Sequence, residues 1–391
     1  MQGQFSRLFK STLGTLVALG ALSLPLFAND DGSILKKLKN ISTLSSTVPA
    51  NGDINPYGLV RVPNSVGNLR EGHYLISNFN ANSSTQPNFQ GTGTTIVDVS
   101  PDGALSLFSQ INPASLPGPC PGGVGLTTAL AVLRTGWVIV GSLPTSDGTS
   151  ATAQAGCLIV LDAWGNPVET LYGSLINGPW DMASVDGDQQ AVLFITNVLN
   201  GTVAANGSVV NQGTVVRVNL AVSSSSMPYL ESLTVIGAGF SEHTDPAALV
   251  IGPTGLGMSP ACKHGDRDCF TPFGEDEPVL YVSDSVNNRI SVITDPLTRS
   301  TPSGPGKILT SSGSLNDPLG LNVAPDGHIL VVNGNDGFVI EITPHGAQIA
   351  KKLIDSSGSP AGAGALFGLV FDPEVGLVYV DDATNTLNVL H

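Results

Sequence analysis

Charged residues are scarce in this chain of 391 residues, and their scarcity limits the classes of protein to which it can belong. Lys, Arg, Asp and Glu make up only 12% of the sequence, and aromatic residues 6%. A coiled coil needs far more Ala, Glu, Lys, Leu and Arg, so that class is excluded. Basic residues are the scarcer kind, with 16 Lys and Arg against 31 Asp and Glu. An acidic surface repels phosphate backbones and anionic lipids, so we expect neither nucleic acid nor a membrane surface as partner.

The chain also lacks an apolar run long enough to cross a membrane. Its longest run, Leu13 to Leu26, has about 14 residues, whereas a membrane helix needs roughly 20. Basic residues Arg7 and Lys10 precede the run and Ala28 ends it, a pattern typical of a secretory signal peptide. We predict cleavage after Ala28 and export to the periplasm or beyond the cell. Cleavage removes two basic and no acidic residues, so the formal charge changes from −15 to −17.

Cysteine is rare as well, with four residues in the whole chain. In an exported protein, an even number of cysteines favours disulfides over free thiols. Cys262 and Cys269 bracket a short hydrophilic loop, so we predict that they pair and that Cys120 pairs with Cys157. A zinc site built from the first pair and His264 is the alternative, although it lacks the usual second half.

What the sequence does contain is a repeat. Short Val, Ile and Leu runs alternate with turns rich in the 46 glycines and 27 prolines, which predicts an all-β fold. One unit has a turn, an apolar strand, a Gly-containing turn, a β-branched strand that ends in Asn or Asp, a loop, and a third strand. Residues 316–342 form its clearest copy. The six copies open near residues 55, 126, 177, 252, 316 and 364.

The copies are unevenly spaced, which argues against a solenoid of fixed rise. A propeller tolerates uneven spacing, because its blades pack radially around an axis and extra residues can be accommodated in the loops between strands. We therefore predict one domain over residues 29–391, a six-bladed β-propeller of four-stranded blades. The last copy has no fourth strand, and residues 34–43 resemble the outer strand of the fifth copy. We predict that residues 34–43 close the ring from the N-terminal end, because an unpaired sheet edge exposes backbone groups that can pair with another chain. The alternative is that residues 34–43 are a basic linker.

One copy carries a recognisable signature. The run Tyr281-Val282-Ser283-Asp284-Ser285-Val286-Asn287-Asn288-Arg289-Ile290 follows a strand led by Asp, Pro and Gly, and it resembles the NHL repeat. The resemblance is most complete in this copy and least complete in the second and third. It implies a six-bladed propeller similar to the exported bacterial NHL-repeat proteins. A fold of this kind implies no particular chemistry.

Candidate site residues gather where the predicted inner strands begin and the second strands end, because both places lie on one face around the channel. The residues predicted for this mouth are Asn55, Tyr57, Asn78, Trp180, Asp181, Asn197, Asp284, Asp317, Asn333 and Asp381. Their oxygens suit calcium or another divalent cation, with Asn197 and Asp284 as candidate ligands. The alternative is that these Asn and Asp residues are turn residues that tie blades together. Tyr57 and Trp180 either stack on a ligand or plug the blades.

Familiar catalytic patterns are missing, including Gly-x-Ser-x-Gly, His-Glu-x-x-His and the Gly-x-x-x-x-Gly-Lys phosphate loop. We therefore predict a monomeric binding module for a protein, a glycan or a small ligand. The alternative is a metal-dependent hydrolase or lyase similar to gluconolactonases, which combine a Glu of the first blade with an Asn and an Asp. Asn197 and Asp284 could fill the last two roles, but Asp53 and Asn55 stand where the Glu is required.

Overall fold

The computed structural model describes residues 32–85, 87–260 and 277–391. The predicted signal peptide and the predicted Cys262–Cys269 pair lie outside the described residues. Within the described ranges, no helix is long and apolar enough to cross a bilayer. The strands form six antiparallel sheets, which confirms the prediction of a six-bladed β-propeller.

Each blade is a meander that starts with its innermost strand. The described chain begins with the helical turn α1 (Ile34–Lys37) and strand β1 (Ile41–Ser46). Blade 1 consists of β2 (Ile54–Arg61), β3 (Tyr74–Asn80), β4 (Thr95–Val99) and β5 (Leu105–Gln110), and blade 2 of β6 (Leu126–Val132), β7 (Val138–Ser142), β8 (Leu158–Leu161) and β9 (Pro167–Leu171). Blade 3 consists of β10 (Pro179–Asp186), β11 (Gln190–Asn197), β12 (Val210–Ala221), β13 (Tyr229–Asp245) and β14 (Leu249–Ile251), with the helical turn α2 (Thr202–Ala205) between β11 and β12.

The second half of the ring repeats this order. Blade 4 consists of β15 (Pro253–Met258), β16 (Leu280–Asp284), β17 (Arg289–Ile293) and β18 (Lys307–Ser311). Blade 5 consists of β19 (Pro318–Val323), β20 (Ile329–Asn333), β21 (Phe338–Ile342) and β22 (Gln348–Leu353), and blade 6 of β23 (Leu366–Asp372), β24 (Gly376–Asp381) and β25 (Thr386–Leu390). Single 3-10 turns lie at Pro113–Ser115, Ser150–Thr152 and Ser285–Asn287.

Blade 6 receives its fourth strand from the other end of the described chain. Strand β1 pairs antiparallel with β25, from Ile41 opposite Leu390 to Ser46 opposite Thr386. The predicted N-terminal ring closure is thus confirmed. The closing strand begins at Ile41, however, because residues 34–37 form the helical turn α1 instead of a strand.

Helix α1 is held by a buried carboxylate of blade 5. Glu341, on β21, accepts hydrogen bonds from Ser33 Oγ at 2.6 Å and from the backbone N–H groups of Ile34 at 2.9 Å and Leu35 at 3.0 Å. His328 Nδ1 lies 2.7 Å from the same carboxylate. Burial opposes ionisation of Glu341, yet these hydrogen bonds outweigh it and lower the pKa of the carboxyl. The N-terminal segment is therefore anchored in blade 5 before its strand joins blade 6.

Blade 3 departs from the predicted four strands. Strand β13 has 17 residues, far more than its counterparts, and its last three residues pair with β14. Leu249 and Val250, on β14, are 1% exposed. This fifth strand therefore buries apolar side chains beyond the edge of the ordinary blade.

Neighbouring inner strands meet backbone to backbone near the axis. Gly320 faces blade 6, and a Cβ there would overlap the carbonyl oxygen of Phe367. Gly368 faces blade 1, where a Cβ would overlap the carbonyl oxygen of Tyr57. Only glycine, which has no Cβ, permits such an approach. These glycines set the width of the channel that the inner strands enclose.

Candidate functional site: the central channel

The six inner strands enclose a cavity of about 300 Å³. Every blade contributes to its wall, which combines aliphatic side chains with a larger exposed area of polar atoms. The aliphatic side chains in the wall include Leu59, Val60, Leu130, Met182, Leu256, Met258, Leu319, Leu321, Val323, Leu369 and Val370. Thr128, Ser184 and Asn322 add neutral polar groups. The cavity therefore offers aliphatic contacts beside exposed polar atoms that can form hydrogen bonds.

One end of the channel lies at the loop face, defined here by the loops that lead into inner strands, such as residues 111–125, 172–178 and 354–365. The ring of Tyr57 stacks on Phe367, with centroids 3.9 Å apart, and on Phe79, with centroids 4.6 Å apart. The edge of Trp180 meets Tyr57 at a centroid distance of 5.6 Å. None of these four rings is more than 4% exposed. The four rings, which we call the aromatic plug, close the channel at this end.

Loops from several blades pack over the aromatic plug. The buried side chains that share its apolar cluster include Leu143, Val198, Leu199, Leu249 and Val250, from blades 2 and 3. Gln90 Nε2, in a loop of blade 1, donates to the carbonyl oxygen of Ala247 at 3.1 Å. The predicted mouth at this face is thus filled by protein side chains, and Tyr57 and Trp180 belong to the filling.

The opposite end of the channel lies at the turn face, defined here by the turns after inner strands, such as residues 62–73, 187–189 and 324–328. Side chains of the inner strands become more exposed in this direction. On β10, Trp180 is 2% exposed, Ser184 is half-buried and Val185 is 40% exposed. Met258 and Val370 are half-buried at the corresponding ends of β15 and β23. Among the described residues, the cavity therefore opens toward the turn face.

Asp181 is the ionisable residue of the cavity wall. Among the described residues that line the cavity, no other side chain can carry a charge. Asp181 Oδ2 accepts a hydrogen bond from the backbone N–H of Leu256, in blade 4, at 2.8 Å. Burial raises the pKa of the Asp181 carboxyl to about 7, although backbone N–H groups of Leu256 and Met182 oppose the shift. At neutral pH the cavity therefore holds a carboxyl group close to half-ionised.

The repeat itself marks Asp181 as unusual. The same position of the inner strand holds a small residue in every other blade, namely Gly58, Ala129, Gly255, Gly320 and Gly368. Comparison of the six copies could have found this exception. The sequence prediction instead grouped Asp181 with other polar residues of the mouth. It also missed Phe79 and Phe367 of the aromatic plug. The signal that could have found these two rings is their place beside positions that recur in the six copies.

Of the ten predicted mouth residues, the described cavity wall contains only Trp180 and Asp181. Two of the others tie loops to blades. Asn78 Nδ2 donates to the carbonyl oxygen of Thr47 at 3.0 Å. Asn333 Nδ2 donates to the carbonyl oxygen of Ser314 at 2.8 Å. Both side chains are fully buried, so they act as structural ties.

The two predicted metal ligands are each used locally. Asn197 Oδ1 accepts a hydrogen bond from the backbone N–H of Asn177 at 2.8 Å. Asp284 Oδ2 pairs with Arg289, 2.6 Å from Nη2, and its Oδ1 accepts from Asn287 Nδ2 at 2.9 Å. Burial raises the pKa of Asp284, although Arg289 opposes the shift. In the ranges that the structure describes, no three His, Cys, Asp or Glu residues are arranged to hold a metal ion. The assignment of Asn197 and Asp284 as metal ligands stays a prediction.

The remaining predicted residues lie where strands begin or end at the loop face. Asn55 and Asp317 have positive φ angles of 66° and 57°. Burial, followed by the nearby Asp245, raises the pKa of Asp317 to about 6. Burial and Asp355 likewise raise the pKa of Asp381. The structure therefore spreads these acids over several blades instead of gathering them at one site.

The predicted pairing of Cys120 with Cys157 is confirmed. Their Cα atoms are 5.1 Å apart, and the bridge joins the loop before blade 2 to the start of β8. It spans 37 positions of the sequence and lies on the loop face. The disulfide therefore braces the closed end of the channel.

Comparison with solved structures shows likeness in fold. The chain is similar to regucalcin, a calcium-binding protein from Agrobacterium tumefaciens strain C58, with TM-score 0.51 and 14% identity over 90% of this chain and 93% of that one. It is also similar to a gluconolactonase from Xanthomonas campestris, with TM-score 0.50 and 13% identity over 89% and 88% of the two chains. No protein-family model and no curated protein sequence matches the chain. Membership of the NHL-repeat family therefore stays a prediction.

Proposed function

We propose that this protein is an exported binding module that takes a small ligand into its central channel through the turn face. The observation that carries the proposal is the asymmetry of the channel, which is filled by aromatic rings at one end and open at the other. Its volume of about 300 Å³ is at the lower end of the range for small-molecule pockets. The Cys120–Cys157 disulfide supports an oxidising compartment, and hence export.

Binding can be measured through Trp180, which lines the cavity. A Trp137→Phe/Trp164→Phe variant of residues 29–391 leaves Trp180 as the single tryptophan. The neutral apolar probe N-phenyl-1-naphthylamine accepts excitation energy from tryptophan and fluoresces strongly in apolar surroundings. We expect saturable energy transfer from Trp180 with one probe per chain. Transfer that rises without saturation would show non-specific adsorption and would overturn the proposal.

A metal-dependent hydrolase or lyase is the second candidate. Its support is the likeness in fold to a gluconolactonase and to calcium-binding regucalcin. The test is elemental analysis of residues 29–391 purified without chelator, followed by a screen of lactones and esters. About one divalent cation per chain, lost on Asp284→Ala together with hydrolysis, would favour the enzyme over the binding module.

A further inference from the structure

The carboxylate of Asp181 has no counterpart at the equivalent positions of the other five blades. Where Asp181 stands, the five remaining inner strands have glycine or alanine, so the fold itself requires no carboxylate there. The hydrogen bond from the Leu256 N–H links blades 3 and 4, but a neutral acceptor would serve the same purpose. A charged side chain at this position therefore calls for a different explanation.

Among the described residues, no charge in the surroundings of Asp181 compensates it. The strands packed around β10, which are β6, β7, β11 and β15, carry no titratable residue at all. Within the described part of the cavity wall, Thr128, Ser184 and Asn322 are the other polar side chains, and all three are neutral. An ionised carboxylate in such an environment is costly unless a cation accompanies it.

On this basis we infer that the ligand of the channel is an organic ammonium ion with an apolar body, and that Asp181 pairs with its positive charge. This inference rests on the proposed function. The aliphatic side chains of the wall suit the apolar body of the ligand, and the carboxylate suits its charged group. A bare divalent cation is a poorer fit, because calcium takes six to eight oxygen ligands and magnesium about six. Asp181 is the one carboxylate among the described residues of the wall, so its side chain supplies at most two of them.

Pairing with an ammonium ion couples ligand binding to the ionisation of Asp181. Below about pH 7 the carboxyl is mostly protonated, so binding a cation must release that proton. The affinity for an ammonium ligand should therefore rise as the pH increases from about 5.5 to 8. A neutral ligand of the same shape should show no such rise.

The test compares 1-naphthylmethylamine, which is cationic in this range, with the neutral 1-naphthalenemethanol, using calorimetric titration of residues 29–391. At pH 8 we expect the amine to bind about tenfold more tightly than the alcohol, the size of effect typical of a hydrogen bond to a charged group. At pH 5.5 the advantage should shrink. The Asp181→Asn variant keeps an oxygen that can accept from the backbone N–H of Leu256. In this variant the amine should bind less than about twofold more tightly than the alcohol at either pH.

Asp188→Asn is the matched control, because Asp188 is exposed in a turn of the same blade and does not line the cavity. This variant should retain the advantage of the amine. If the alcohol and the naphthylamine probe bind but the amine gains nothing, or if Asp181→Asn keeps the gain, the inference is wrong while the binding module stands. If none of the three molecules binds, the proposed function itself fails.

Discussion

At the loop face the central channel ends in stacked aromatic rings, whereas toward the turn face the described cavity wall has mostly small and aliphatic side chains. The loop face carries the disulfide and nearly all the polar residues that suggested a binding site. The turn face carries few such residues. The difference teaches that loop polarity is a poor guide to access, because those loops cover the channel while their Asn and Asp side chains hold the loops in place.

The strongest test of this comparison removes part of the aromatic plug. Trp180→Ala should lower the free energy of unfolding by about 3–5 kcal/mol, because it leaves a cavity among buried rings. Denaturation in urea measures the loss. Trp164 lies in a turn at 61% exposure, so Trp164→Ala should change stability by less than about 0.5 kcal/mol. Similar losses in the two variants would mean that the plug does not hold the closed end.

The disulfide gives the next largest effect at the closed end. Cys157→Ser should cost about 3–4 kcal/mol in non-reducing buffer, because the bridge restricts the unfolded chain over 37 positions. Thermal unfolding with and without reductant measures this. In fully reduced protein the variant and the parent should be alike, and a loss that persists there would point to packing of the buried Cys157 side chain instead.

The turn face has an anchor of its own in Glu341. Glu341→Gln should lower stability by about 1.5–3 kcal/mol at pH 7, because three hydrogen bonds and His328 meet an ionised group there. The folded pKa of Glu341 lies below its ordinary value of 4.5, so its contribution is present above pH 4.5 and disappears as the pH falls. The difference in free energy of unfolding between parent and variant, measured by urea titration, should therefore be smaller at pH 3.5 than at pH 7. Glu374→Gln, at an exposed position in a turn of blade 6, is the control, and a difference that stays constant with pH would contradict this role.

The smallest change in stability is expected at the open end. Ser184 is half-buried in the cavity wall near the turn face, so Ser184→Phe should alter the free energy of unfolding by less than about 1 kcal/mol. The larger ring should nevertheless obstruct the channel and abolish energy transfer from Trp180 to the naphthylamine probe. Undiminished transfer would place the probe elsewhere and would remove the functional distinction between the two ends.

Much of the fold could be predicted because each blade repeats a local pattern. The turn residues and β-branched strands recur six times. A strand that is ambiguous in one copy can therefore be assigned from the same pattern in the other copies. The closing strand was less accurately placed, since Ile34 and Leu35 read equally well as strand residues. Their helical turn depends on Glu341, which is more than 300 positions away and carries no local signal.

The sequence by itself determined the six blades, the N-terminal ring closure and the Cys120–Cys157 pair, because strand patterns, turns and cysteine spacing are local properties. The tertiary structure alone decided which end of the channel is closed, since that depends on rings from blades 1, 3 and 6 meeting at the axis. It likewise decided that Asp181 faces a cavity whose described wall provides no compensating charge. A sequence shows that a residue can be ionised, but only the folded chain determines what surrounds it.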